Sequence, residues 1–286
     1  MSTDLSPLKT IAIIQARMSS SRLPGKVLLD IAGQPMLAHV VERTRRAQRV
    51  HQVVVATTSD PSDDPIQAFC EAHGCAFWRG SLHDVLDRYY QAACHFHAEA
   101  IVRITADCPL IDPQVVDHTV AALFGGGKTP AWDFAANRLP PPWRRSYPIG
   151  LDTEVCTFAA LEQAWQNAQE PHQREHVLPY LYQHSPVFDS LASPTPPPAD
   201  SLAPGQFRVL LVNHIPDHGA LRWTVDTPAD LELVRQIFAR LPGKPFFTWL
   251  DVLALFEKEP ALAEINASIV HKTAFDVDHR LTPTPK

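Results

Sequence analysis

The sequence predicts an α/β fold built on a mostly parallel sheet. Two observations carry this. Short runs are too uniformly apolar for strands with one face in water, and the segments between them place apolar residues at helical spacing. Length agrees, since 286 residues, 45% hydrophobic and 20% charged, can bury a full core as one large domain or two small ones. That charged fraction also excludes a disordered polyelectrolyte.

In chain order, the first strand is expected over Thr10 to Ala16 and the first helix near Met36 to Arg46. A second strand at Gln52 to Thr57 leads into a helix over Asp64 to His73, and Val85 to His97 reads as the next helix. Ala100 to Thr105 is a third apolar strand, followed by a helix at Pro113 to Leu123. Further helices are expected at Phe158 to Ala168 and Pro228 to Arg240, with strand-like sequence at Phe207 to Val212 and Trp223 to Asp226. Pro65, Pro113 and Pro228 sit where a first helical turn tolerates proline, each just after an Asp or Thr able to cap it. No internal repeat is visible. Proline reaches 27 residues, about 9% where roughly 5% is ordinary, and twelve of them fall between Pro140 and Pro204. That stretch is expected to hold long loops and short elements, with a Pro-rich surface loop at 189–205.

The formal net charge is −6, which argues against a general binder of nucleic acid or anionic membrane. Its distribution is uneven. The first sixty residues hold eight Lys/Arg against four Asp/Glu, a local +4 on a body of −10, which suggests one anionic ligand handled locally. The five cysteines, Cys70, Cys75, Cys94, Cys108 and Cys156, are odd in number and form no C-x-x-C pair, so reduced thiols are expected. No apolar run approaches the roughly 18 residues needed to span a bilayer, and no signal-peptide pattern opens the chain. A cytoplasmic protein is the expectation.

The strongest local signal is Ile11 to Leu28. An apolar strand runs into a loop with three serines, a Pro-Gly turn and the cations Arg17, Arg22 and Lys26. Loops at the carboxyl ends of parallel strands are where such folds bind ligands, and hydroxyls, backbone N–H groups and cations together suit phosphate. A solvated basic loop is the alternative. Asp107 emerges at the carboxyl end of the third strand, and Asp226 ends a second apolar stretch just before a helix. Either could cap a turn. As a pair they can hold Mg²⁺ against a nucleotide triphosphate, because Mg²⁺ takes one or two carboxylates with phosphate oxygens and water completing its shell.

The pattern A-R-x-x-S-x-R-x-P-x-K after the first strand resembles the signature of the cytidylyltransferases that make CMP-activated sugar acids. It is most similar to the SpsF-like branch described as spore coat polysaccharide biosynthesis proteins, related to the KDO and acylneuraminate enzymes. Matches continue in order with Gly33 to Leu37, Asp84 to Tyr90, Arg103 to Asp112, Gly150 to Glu154, Arg174 to Val177 and Arg222 to Asp230. The resemblance implies a three-layer, Rossmann-like sheet of the nucleotide-diphospho-sugar transferase type. It also implies Mg²⁺-dependent transfer of CMP from CTP to a sugar or sugar-acid acceptor with release of pyrophosphate, serving cell-surface polysaccharide or glycoconjugate synthesis.

Residue by residue, the resemblance puts Arg17, Lys26, Asp107 and Asp226 in catalysis, with Asp107 and Asp226 as metal ligands. Arg17, Ser19, Ser20, Arg22, Lys26 and Arg103 are then expected on the nucleotide. Asp152, Glu154, Arg174, Glu175 and His176, polar groups beyond the nucleotide half, either line an acceptor pocket, where His176 acts as general base or orients the acceptor, or are solvated helix ends and turns. The corresponding organisation is a nucleotidyltransferase domain at 1–245, with its acceptor-side region at about 130–206, a helical cap at 246–272 and a disordered tail at 273–286. Partners are CTP and a small-molecule acceptor, and the resemblance leaves a homodimer open. The chain departs from the KDO-type Gly-Asp-Glu-Pro by reading Ala106-Asp-Cys-Pro109, so the acceptor stays open among neutral sugars, sugar acids and phosphorylated compounds.

Other readings compete with this one. His172-x-x-Glu175-His176 fits the H-x-x-E-H form of a zinc metallopeptidase. Gly127-Lys-Thr129 resembles the end of a P-loop, but the residue five before Gly127 is Ala122, and the stretch follows a helix where a P-loop follows a strand. A glycosyltransferase of related architecture commonly carries D-x-D, found here only at Asp276 to Asp278 in the expected tail. A non-catalytic nucleotide-binding module is expected to have lost a metal carboxylate or a loop cation, and none is missing.

Overall fold

The strand Thr10–Gln15 (β1) lies inside an eight-stranded sheet of a computed structural model that describes residues 8–241 and 246–270. A two-stranded hairpin, Asp30–Ile31 (β2) and Gln34–Pro35 (β3), leads into the helix Met36–Arg45 (α1). The chain then alternates through Gln52–Thr58 (β4), Asp64–Ala72 (α2), Ala76–Gly80 (β5), Val85–His95 (α3), Ala100–Thr105 (β6) and Pro113–Phe124 (α4). Next come two short strands, Phe134–Ala136 (β7) and Glu154–Thr157 (β8), and three helices, Phe158–Asn167 (α5), Pro171–His176 (α6) and Pro179–Tyr182 (α7). Val187–Asp189 (β9), Val209–Leu211 (β10), Pro228–Arg240 (α8) and Trp249–Lys258 (α9) complete the order.

The large sheet runs β5-β4-β1-β6-β8-β7-β10-β9. Its pairs are parallel except at β8, which is antiparallel to both β6 and β7. Both faces are covered. Ala12 and Ile14 of β1 pack with one cluster that includes residues of α1, α4, α8 and α9, while Ile11 and Ile13 pack with another that includes residues of α3, α5 and α7. Side chains alternate faces along a strand, so a strand covered on both sides must be apolar at every position, which is why β1, β4 and β6 read as continuous apolar runs.

Helix starts follow local chemistry. Asp112 accepts from the Gln114 N–H at 2.8 Å, and Thr227 forms a reciprocal capping box with Asp230, each just ahead of a first-turn proline. The glycine-rich stretch near 127 is the exit of α4, which ends at Gly125 with φ of 55°, and not a phosphate loop. One expectation changes. Trp223 to Asp226 is not a ladder strand: it runs extended beside residue 149, held by a single bridge at Arg222. The loop at 189–205 carries two short 3₁₀ turns, Ser190–Ala192 and Ala199–Ser201. Trp249, Val252, Leu255 and Phe256 of α9 belong to the same buried cluster as β1 and β6. The expected tail at 273–286 lies outside the described residues. Among those residues no helix is long and apolar enough to cross a membrane.

Candidate active site

A cleft of about 280 Å³ opens at the carboxyl ends of β1 and β6. Ligands in open parallel sheets bind there because strands end, loops begin and backbone groups are left to point outward. One wall is the loop after β1. Met18 donates its N–H to Asp63 at 2.7 Å and accepts one from Gly25 at 2.9 Å, so the loop folds back on itself before Lys26.

Lys26 is 9% exposed and its ammonium makes three hydrogen bonds: to Asp107 Oδ2 at 2.8 Å, to Asp226 Oδ1 at 2.8 Å and to the Val225 carbonyl at 2.9 Å. Burial works against its charge, but the two carboxylates outweigh burial and hold the ammonium above its ordinary range. Main-chain bonds bring the carboxylates together. The Val225 N–H donates to the Asp107 carbonyl at 2.8 Å, and the Thr224 hydroxyl donates to the same carbonyl at 3.1 Å.

Asp226 is also bonded from behind. Its Oδ2 takes Arg22 at 3.0 Å and Arg222 at 2.8 Å. Burial would push this carboxyl up; Lys26, Arg222 and Arg22 reverse that and hold it well below the usual carboxylate range. Arg222 is fixed by Asp230, which is fully buried and accepts from Arg222 Nε at 2.9 Å, the Asp226 N–H at 3.1 Å, the Thr227 N–H at 3.0 Å and Asn266 Nδ2 at 2.8 Å. Asn266 also donates to the Arg222 carbonyl at 3.0 Å, so the segment after α9 braces the carboxylate end of the cleft.

The far wall comes from β8 and α6. Because β8 runs against its neighbours, its first residue, Glu154, arrives at the end where β6 finishes, directly opposite Arg103 in register. The two pair at 2.5 Å, with Glu154 only 4% exposed. Asp152 takes both guanidinium nitrogens of Arg145, at 2.5 and 3.2 Å, and lies 4.0 Å from Arg138. Glu175 and His176 enter the cleft from the last turn of α6. The next residue, Val177, has φ of 73° and is fully buried, and the Leu178 N–H donates to the His176 carbonyl at 2.9 Å across it. A β-branched residue held there stores roughly 1–3 kcal/mol of strain, which the packing around it sustains. Gly150 sits where a Cβ would stand 2.7 Å from the Thr224 nitrogen, so this wall and the Asp226 segment touch backbone to backbone.

Of the residues singled out in the sequence, Arg17, Ser20, Arg22, Lys26, Arg103, Asp107, Asp152, Glu154, Glu175, His176 and Asp226 all line the cleft. Two do not. Ser19 lies on the loop but off the lining, and Arg174 turns away to grip Asp84 through Nε at 3.0 Å and the Trp165 carbonyl at 2.7 Å. Arg174 and His176 lie about 200° apart around α6, so the Arg174 side chain is directed away from the one that His176 sends to the cleft. Arg103 reaches the cleft already paired with Glu154. Sequence reasoning missed Ser21, Arg138, Cys108 and Thr224 on the lining. Cys108 was visible as the residue after Asp107; burial raises its thiol well above the ordinary range, so it stays neutral.

A divalent cation fits the donor chemistry. Two carboxylate oxygens converge on one point, where the Lys26 ammonium serves as a stand-in positive charge. Two carboxylates suffice for Mg²⁺ when phosphate and water supply the rest. A structural zinc site does not fit: among the described residues no group of three or more His, Cys, Asp or Glu could hold a metal ion.

Residues 11–209 match the family model described as "Cytidylyltransferase". A 3-deoxy-manno-octulosonate cytidylyltransferase of Anaeromyxobacter sp. (strain K) is 32% identical over 243 residues, covering 79% of this chain and 96% of the relative. The spore coat polysaccharide biosynthesis protein SpsF of Bacillus subtilis is 28% identical over 256 residues, covering 88% and 95%. A cytidylyltransferase from Leptospira borgpetersenii superposes with a TM-score of 0.77 at 28% identity, covering 92% of this chain and all of that one. Asp226 and its bracing network lie beyond the residues that the family model matches.

Proposed function

The chain belongs to the cytidylyltransferase family, and from that premise we propose that it transfers CMP from CTP to an oxygen of a sugar or sugar-acid acceptor, releasing pyrophosphate, in a Mg²⁺-dependent reaction. The observation that carries the reading is the meeting of a cationic serine loop with two carboxylates that converge on one point. The names of the relatives support the CMP group and a role in polysaccharide or glycoconjugate synthesis.

In this reading Arg17, Ser20, Ser21 and Arg22 bind and orient the triphosphate. An acceptor oxygen attacks the α-phosphorus in line, the bond to the β-phosphate oxygen breaks, and pyrophosphate leaves with the electron pair. Such a reaction asks little covalent chemistry of the protein; positioning and charge stabilisation do the work. Asp107 and Asp226 would hold Mg²⁺, which when bound neutralises phosphate charge. Asp152, Glu154, Arg138, Glu175 and His176 face the acceptor, and His176 is the group placed to orient its hydroxyl or take its proton.

The test is a pyrophosphate-release screen of CTP, UTP, ATP and GTP with Mg²⁺ against a panel of sugar acids, neutral sugars and sugar phosphates. CTP-dependent release with one acceptor class is expected. No release under any combination, with nucleotide still bound, would point instead to a binding module.

A further inference from the structure

We propose that the Lys26 ammonium is the resident cation of the Asp107–Asp226 site in the empty enzyme, and that it must leave for a divalent ion to enter. Binding of metal is thereby coupled to binding of nucleotide. The inference rests on the reading of the cleft given above and adds an order of events to it.

The geometry carries the argument. An ammonium has three N–H donors, and all three of Lys26 are used, on Asp107 Oδ2, Asp226 Oδ1 and the Val225 carbonyl at 2.8, 2.8 and 2.9 Å. The side chain is therefore fully satisfied by the two carboxylates and the chain that carries one of them. Mg²⁺ bonds oxygen at about 2.0–2.1 Å, so it cannot close on the same two oxygens while a cationic nitrogen stays between them. Like charges this close in a part-buried site repel strongly. Ammonium and divalent ion are alternative occupants of one place.

Departure is feasible because lysine is a point charge on a flexible four-carbon stem. The backbone of Lys26 begins a single 3₁₀ turn, Lys26–Leu28, so its side chain can swing without unwinding a long helix. Ser20, Ser21 and Arg22 line the same cleft and mark where phosphate would collect. A triphosphate arriving with its metal offers the displaced ammonium a new anionic partner and the carboxylates a new cation. Metal alone offers only the second. The empty enzyme is accordingly a weak site for free divalent ion, and nucleotide strengthens it.

The experiment titrates full-length protein with Mn²⁺ without nucleotide, following the free-ion EPR signal, for the wild type, Lys26→Met and Lys26→Arg. Methionine keeps the length of the stem and removes the charge. Lys26→Met should bind Mn²⁺ about tenfold or more tightly than the wild type, with Lys26→Arg staying weak. In a second titration with CTP, corrected by a protein-free blank for the Mn²⁺ that CTP itself binds, nucleotide should tighten Mn²⁺ binding in the wild type and much less in Lys26→Met. Adding Asp107→Asn to Lys26→Met should abolish the gain. Should Lys26→Met prove unstable, its melting temperature must rise with Mn²⁺ more steeply than that of the wild type, since ligand that binds only folded protein stabilises it. Mn²⁺ affinity in Lys26→Met equal to or below that of the wild type overturns the proposal, as does a gain that survives Asp107→Asn. If no variant binds Mn²⁺ even with CTP, the metal-nucleotide reading of the cleft falls first and this inference with it.

Discussion

Asp230→Ala is expected to destabilise the protein severely although Asp230 does not line the cleft. The residue is fully buried and holds Arg222, itself 8% exposed, through two hydrogen bonds at 2.9 and 3.1 Å. Removing one partner of a buried pair costs about 3–5 kcal/mol; here Arg222 keeps its bond to Asp226, and the Asp226 and Thr227 N–H groups lose their acceptor. The same substitution breaks the capping box at the start of α8 and leaves the side-chain amide of Asn266 with only its bond to the Arg222 carbonyl, adding about 1 kcal/mol for the cap. A total near 5 kcal/mol converts to roughly 10–15 °C of melting temperature for a domain of this size. Thermal denaturation followed by circular dichroism, checked by urea unfolding, reads it directly. Asp230→Asn keeps an acceptor and the size of the side chain and should lose about half as much. Replacing both members, Arg222→Met with Asp230→Leu, removes the buried charges together but still leaves the Asp226 and Thr227 N–H groups without their acceptor, so it should cost no more than Asp230→Ala alone. A drop under about 3 °C for Asp230→Ala would refute the claim that this network braces the carboxylate end of the cleft.

Three further outcomes are expected. Arg17→Ala should reduce pyrophosphate release by about 10²- to 10³-fold with native circular dichroism, the scale of losing one donor to a developing oxyanion; near-normal turnover rules out its assignment. Gly150→Ala should cost about 2–4 kcal/mol and impair turnover, because its Cβ would press on the Trp223 and Thr224 backbone at 2.7 Å and its φ of 108° disfavours a side chain. Acid should weaken the fold early. Burial holds His39 and His118 below their ordinary 6.5, so near and below that pH the unfolded chain binds more protons than the folded one. The stability they contribute is present above pH 6.5 and lost as pH falls through the folded values, so urea midpoints should decline from pH 7.5 to 5.5. A flat profile would contradict this.

Legibility in the sequence followed burial and length. The strands β1, β4 and β6 were readable because burial on both faces forces unbroken apolar runs, and α4 and α8 because a capping residue and a first-turn proline mark their starts. The short strands β7, β8 and β9 were harder, since three or four residues cannot display a period. The antiparallel direction of β8 was invisible for the same reason. Trp223 to Asp226 had the composition of a strand and the path of one, but tertiary contacts to residue 149 and Asp107 replaced the ladder. Asp107 and Asp226 were paired because each ends an apolar stretch just before a helix and because the family resemblance joins them. Arg138 carried no signal, because it follows a three-residue strand in a proline-rich region and depends on the fold to reach Asp152.

The Val225–Asp107 hydrogen bond joins main-chain atoms, so the backbone spacing of the two segments that carry the carboxylates is set without a side chain of the opposite wall. The opposite wall is different in kind. Arg138, Asp152, Glu154, Glu175 and His176 present side chains from β8, α6 and the loops beside them. On the reading proposed above, the reacting centre and the acceptor reader are therefore separable parts, and selection can rewrite one while the other stays in place. A family built this way can diversify the compound it activates without reinventing the activation, and a laboratory can seek new acceptors by randomising that wall alone.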